Sequence, residues 1–141
     1  MAEKVRDVMN RQPIRLQGSA PVIEAARQMQ AANVGAVIVE DSSGEPCGIV
    51  TDRDITLRAV ALGRDPATTP LSDVCSNGLT TLSPDDDLER AIQIMREKAV
   101  RRLLVVDPQN RAVGVLSLGD LAIARDSQSV LGQISAAPPN N

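Results

Sequence analysis

Moved along itself by 66 positions, the chain meets a second copy of its own sequence. The stretch VRDVMNRQPIRLQ from Val5 lies over LSDVCSNGLTTLS from Leu71, and the register runs without a gap to Ile55 over Leu121. It pairs Asp7 with Asp73, Leu16 with Leu82, Ala25 with Ala91, Met29 with Met95, Asp41 with Asp107, Gly48 with Gly114 and Asp54 with Asp120. Identities and apolar pattern persist together over too long a stretch for chance. A chain of 141 residues suits one compact domain or two small repeats that share a core. The duplication selects the second: one supersecondary unit, made twice.

Each copy reads alike. A short extended piece, 13–16 or 79–82, comes first. A helix follows, with small or apolar residues at Val22, Ala25, Ala26 and Met29, and at Leu88, Ala91, Ile92 and Met95. That is the i, i+3, i+4, i+7 spacing of one buried stripe. In the second copy Ser83-Pro84-Asp85-Asp86-Asp87 offers this helix an N-cap, a first-position proline and first-turn acids. Two β-rich runs come next, 36–39 then 47–51 and 103–106 then 112–116, joined by the turn formers Asp41-Ser42-Ser43-Gly44 and Asp107-Pro108-Gln109-Asn110. A second helix begins near Asp54 and near Asp120. The expected fold is mixed α/β (α+β), a tandem of β-α-β-β-α repeats. Repeat 1 spans 1–63, a linker 64–70 and repeat 2 71–126. Residues 127–141, rich in Ser, Gln, Ala, Pro and Asn, read as a flexible tail.

Absences narrow the chemistry. With no histidine, a Ser/His/Asp triad, a histidine general base and a histidine metal site are excluded. With no Phe, Trp or Tyr, a bound base must lie between aliphatic side chains rather than on an aromatic platform. A net charge of −3 argues against general nucleic-acid binding, which needs a basic footprint. No apolar run reaches membrane-spanning length, and the start MAEKVRDVM has no secretory apolar region, so no membrane association is expected and a cytoplasmic location is. Cys47 and Cys75 lack metal-ligand spacing; Cys47, within the apolar run that includes Ile49 and Val50, reads as a buried free thiol.

After the third strand of each copy comes glycine, two aliphatics and Ser/Thr-x-x-Asp: Gly48-Ile49-Val50-Thr51-Asp52-Arg53-Asp54, and Gly114-Val115-Leu116-Ser117-Leu118-Gly119-Asp120. The glycine lets a ligand or a neighbouring strand come close to the backbone. The hydroxyl and carboxylate flank a strand-to-helix turn, where free N–H groups favour anions. A carboxylate there can accept two bonds from a ribose diol, each worth roughly 1.5–3 kcal/mol. The same spacing is that of a capping box that merely starts a helix, and one residue can do both.

Together with the opening Val5-Arg6-Asp7-Val8-Met9 and the run Val100-Arg101-Arg102-Leu103-Leu104-Val105-Val106-Asp107, this stretch resembles the cystathionine β-synthase (CBS) domain family. The resemblance covers roughly residues 3–126. It implies two repeats packed by their sheets about a pseudo-twofold axis, a Bateman module, with clefts that hold AMP, ADP, ATP or S-adenosylmethionine. It also implies ribose binding by Asp54 and Asp120 beside the hydroxyls of Thr51 and Ser117. Arg101 and Arg102 fall where a basic pair faces phosphate in related sensors, and arginine forks suit phosphate oxygens. Equally, they are two surface arginines on opposite faces of a strand. The first copy departs from the pattern, with Gly35 and Ala36 at those positions, so the two sites are not expected to be equivalent; Arg53 could supply charge instead, or be a solvated helix-end residue. Ile14, Ala36, Val37, Thr80, Leu103 and Leu104 are candidates for the adenine wall, and also read as core positions bordering a cleft.

The resulting expectation is a regulatory module, not an enzyme. It needs no cofactor, takes an adenine nucleotide as ligand, and changes conformation or assembly when occupied. Apolar residues on the helices, namely Ile23, Ile55, Leu62, Ile94, Leu121 and Ile123, point to homodimer packing. A ligand-free interaction module and an S-adenosylmethionine binder are the alternatives.

Overall fold

The computed structural model describes residues 3–76 and 79–125 of the chain. The expected tail, 127–141, lies outside the described residues. By compactness the chain divides into two units: one is Pro13–Leu79, the other Met1–Gln12 together with Thr80–Asn141. Each unit therefore holds the body of one repeat and the leading segment of the other.

The elements follow in chain order: α1 (Val5–Val8), β1 (Arg15–Gln17), α2 (Val22–Ala32), β2 (Ala36–Glu40), β3 (Pro46–Thr51), α3 (Asp52–Ile55), β4 (Thr81–Leu82), α4 (Leu88–Lys98), β5 (Arg102–Val106), β6 (Ala112–Ser117) and α5 (Leu118–Arg125). Helix α3 continues as a π-helical turn over Thr56–Val60, and Leu71–Asp73 forms a 3₁₀ turn at the place that α1 holds in the first copy. The α+β class and the β-α-β-β-α order are both present. Each unit has a three-stranded sheet, β1-β2-β3 or β4-β5-β6. In each, the first pair is parallel and the second antiparallel, with a bulge at equivalent places, between Val39 and Glu40 and between Val105 and Val106.

The cores repeat position by position. In Pro13–Leu79, Val22, Ala25 and Met29 of α2 pack with Val37 and Val39 of β2, Val50 of β3, and Leu71, Val74 and Cys75 of the segment leading into the second repeat. In the other unit Leu88, Ala91 and Met95 of α4 pack with Leu103, Val105, Leu116 and Val5, with Val8 and Met9 alongside. Each leading segment thus completes the core of the body it does not precede.

Those segments also start the helices. The Thr69 carbonyl accepts the Val22 N–H at 2.8 Å, and the Glu3 carbonyl accepts the equivalent Leu88 N–H at 3.2 Å. Backbone carbonyls thereby take first-turn N–H groups that a side chain would otherwise cap. The Ser83 reading is corrected here: Ser83 does not cap α4. It closes a separate turn, donating its N–H to Asp86 Oδ2 (2.9 Å) while its Oγ accepts from Asp85 N–H (3.2 Å). Asp87 holds the N-cap position and makes no side-chain cap bond.

The hairpin turns obey the duplication as well. Asp41 Oδ1 accepts from the N–H groups of Ser43 and Glu45, and Asp107 Oδ1 from those of Gln109 and Arg111. The left-handed position falls on Gly44 (φ 85°) in one turn and Asn110 (φ 62°) in the other, residue types that tolerate it. The Ser43 hydroxyl also donates to Asp41 Oδ1, and this bond, with those from the backbone, holds the Asp41 carboxyl below its ordinary pKa.

Candidate functional site

Strand pairing gathers most of the predicted residues at one end of each sheet. Ala36 opens β2 opposite Thr51 at the end of β3, and Arg102 opens β5 opposite Ser117 at the end of β6. The Ile38 N–H bonds the Ile14 carbonyl (2.8 Å), and the Leu104 N–H bonds the Thr80 carbonyl (3.3 Å), which brings the approach to β1 and β4 to the same end. The following helix is tied in too. The Asp52 N–H donates to the Gly35 carbonyl at 3.0 Å and the Leu118 N–H to the Arg101 carbonyl at 2.8 Å. One end of the first sheet therefore holds Ile14, Ala36, Thr51, Arg53 and Asp54. The same end of the second holds Thr80, Arg101, Arg102, Ser117 and Asp120.

The hydroxyl–carboxylate motif forms a reciprocal cap in both copies. Thr51 Oγ1 accepts the Asp54 N–H at 3.1 Å while Asp54 Oδ2 accepts the Thr51 N–H at 2.9 Å. Ser117 Oγ and Asp120 Oδ2 do the same at 3.1 and 3.0 Å. The cap fixes each half-buried carboxylate and occupies one of its oxygens. The other, Oδ1, has no bonding partner among the described residues and remains available as an acceptor. Arg53, Arg101 and Arg102 likewise have no carboxylate partner among the described residues. Arg101 is exposed just before β5, and Arg102 is half-buried as its first residue.

For Val37 and Leu103 the core reading holds: Val37 is 1% exposed and Leu103 0%, each with its side chain in the hydrophobic core of its own unit. Their side chains support the sheet from the helix side. Leu104 is also fully buried, on the opposite face by strand alternation. A continuous apolar run carries no alternation from which the sequence could assign faces. Leu118, at the x position after Ser117, is 50% exposed where the first copy has Asp52.

Why the motif begins with glycine is now plain. A Cβ on Gly114 would lie 2.6 Å from Met9 Sδ and 2.9 Å from the Asn10 carbonyl oxygen; one on Gly48 would lie 3.0 Å from Cys75 Sγ and 3.1 Å from the Ser76 carbonyl oxygen. The leading segments cross the strands there, through bridges Asn10↔Val115 and Ile49↔Ser76. Of the two readings, a neighbouring strand occupies the space. Cys47 is also corrected: it is exposed, while Cys75 is the buried thiol. As the unpaired extra residue of the bulge, Cys47 falls outside the ladder. Among the described residues, no helix is long and apolar enough to cross a membrane, and no His/Cys/Asp/Glu group could hold a metal ion.

A doubled β-α-β-β-α body, with a leading segment crossing each third strand and a capped Ser/Thr-x-x-Asp turn closing it, defines a class of tandem α+β repeat proteins. The CBS domain model matches residues 5–60 and again 71–127, and the chain belongs to the CBS domain family. It is 42% identical over 128 residues to the CBS domain-containing protein YhcV of Bacillus subtilis (strain 168), across 91% of this chain and 89% of that one. The CBS domain protein PAE2072 from Pyrobaculum aerophilum, solved in complex with AMP, matches at a TM-score of 0.78 and 28% identity over 96% of this chain and 100% of that one. The CBS domain pair of protein MJ0100, solved with 5′-methylthioadenosine and S-adenosyl-L-methionine, shares the fold at a TM-score of 0.81 and 21% identity, covering 92% of this chain and 100% of that one.

Proposed function

We propose that this protein is a regulatory module that binds an adenine nucleotide (AMP, ADP or ATP) and answers by a change of conformation or assembly. The observation that carries the reading is the capped aspartate. Asp54 and Asp120 are each fixed by one oxygen, and the other oxygen is left to accept a ribose hydroxyl. Arg101 and Arg102, with no carboxylate partner among the described residues, supply the complement to phosphate. The AMP complex of PAE2072 supports this ligand class. Ile14, Ala36 and Thr80 stand beside the aspartates as the wall for the base. The first repeat, with Gly35 and Ala36 in place of the arginines, offers only Arg53. No catalytic step is assigned, and the chain acts as a homodimer. S-adenosylmethionine is the second ligand reading, favoured by the MJ0100 complex.

Thermal unfolding with AMP, ADP, ATP, adenosine and S-adenosylmethionine tests this, followed by circular dichroism because the chain has no aromatic residue. A ligand at 100 times its Kd adds about 2.7 kcal/mol of stability, a rise of several degrees in Tm. Asp120→Asn keeps an oxygen for the cap and should lose most of that rise. Arg101→Gln with Arg102→Gln should lose the advantage of AMP over adenosine. No rise with any of the five ligands, or a full rise in Asp120→Asn, overturns the assignment.

A further inference from the structure

The unit Pro13–Leu79 carries a thiol pair that the other unit lacks. Cys47 and Cys75 stand where that unit has Val113 and Met9. Both thiols are free, and both lie within the unit Pro13–Leu79, one in β3 and one just past the 3₁₀ turn Leu71–Asp73. Three observations bring them together. First, the Ser76 N–H bonds the Ile49 carbonyl at 3.2 Å, laying the crossing segment along the edge strand β3. Second, a Cβ on Gly48, the residue next to Cys47, would stand 3.0 Å from Cys75 Sγ and 3.1 Å from Cys75 Cβ. Third, Cys47 is the extra residue of the bulge, released from the regular ladder between Pro46, which pairs with Glu40, and Gly48, which pairs with Val39. In the second repeat the same bulge turns Val113 onto the core cluster that Met9 also packs against. Burial raises the pKa of both thiols; the charge of Asp41 adds to the rise at Cys47, and that of Cys47 to the rise at Cys75.

We propose that Cys47 and Cys75 form a reversible disulfide in response to a hydroperoxide, fastening the crossing segment to the edge of β3. The exposed Cys47 sulfur attacks a peroxide oxygen; the O–O bond breaks, Cys47 becomes a sulfenic acid and the hydroxide takes the thiol proton to leave as water. The Cys75 sulfur then attacks the sulfenic sulfur; the S–O bond breaks, the S–S bond forms and a second water carries away the Cys75 proton. Two thiols are oxidised by two electrons and one hydrogen peroxide is reduced to two waters. A dithiol reductant reverses the change by exchange. The bond would hold Leu71 and Val74 in the first repeat's core by covalent attachment, so oxidation stiffens that unit alone.

The test uses the full chain, hydrogen peroxide and intact mass. Wild type should lose about 2 Da, lose both alkylatable thiols, remain a single chain on a non-reducing gel, and melt several degrees higher than the reduced form. In Cys47→Ser, Cys75 should stay alkylatable under the same treatment. In Cys75→Ala, Cys47 should gain oxygen or join two chains. Oxygen adducts or covalent dimers from wild type, with Cys75 still alkylatable, overturn the proposal, as does a disulfide that leaves Tm unchanged. None of these readouts depends on nucleotide binding.

Discussion

Ala99 closes α4 in the left-handed region, φ 54°, where the first repeat has Asn33 at φ 57°. Asparagine tolerates that conformation; alanine brings its Cβ too close to the following carbonyl. Ala99→Gly should therefore stabilise the protein by about 1 kcal/mol, read as a higher urea midpoint at unchanged slope. A lower midpoint would mean that loss of the alanine methyl outweighs relief of the backbone. At this scale the sequence was informative about polar geometry. Thr51 with Asp54 and Ser117 with Asp120 were legible as caps, because a capping box needs only local spacing. The Ser83 cap was misread because its competitor, the Glu3 carbonyl, comes from a distant part of the chain.

Between elements, the decisive contact is a leading segment lying across the third strand of the other repeat. Gly114→Ala tests it. The Met9 side chain can swing away from a new methyl, but the Asn10 carbonyl is backbone, bridged to Val115, and cannot. We expect a loss of about 1–3 kcal/mol, the usual cost of overpacking, with hydrogen exchange accelerating in β6 and α1. A loss within a few tenths of a kcal/mol would show that the crossing is soft. The strands and main helices were legible from period and turn residues, to within a residue or two. The crossing was not. Alternation along one strand records which face is buried and carries no trace of which segment buries it.

For the whole molecule, the apolar residues expected at an interface differ in exposure, with Ile23, Ile55 and Ile123 half-buried. Ile94 and Leu121, 8% and 4% exposed, are corrected: both lie within the core of their own unit. Of the expected residues Leu62, 66% exposed, carries surplus surface, in the turn after the π-helical segment, with Leu57 and Val60 of that segment at 47% and 64%. Under the homodimer reading, sedimentation should give twice the chain mass, and Val60→Glu with Leu62→Glu should halve it. A wild-type monomer at micromolar concentration rejects that reading. By itself the sequence determined the duplication, the order of elements in each copy and the capped carboxylates, because each of these is written in spacing along one stretch of chain. Only the tertiary structure decided that each leading segment completes the opposite core, that the side chains of Val37 and Leu103 face the helix-side core, and that Cys47 rather than Cys75 meets solvent. Those outcomes depend on which distant residues compete for the same space, and a linear pattern holds no record of that competition.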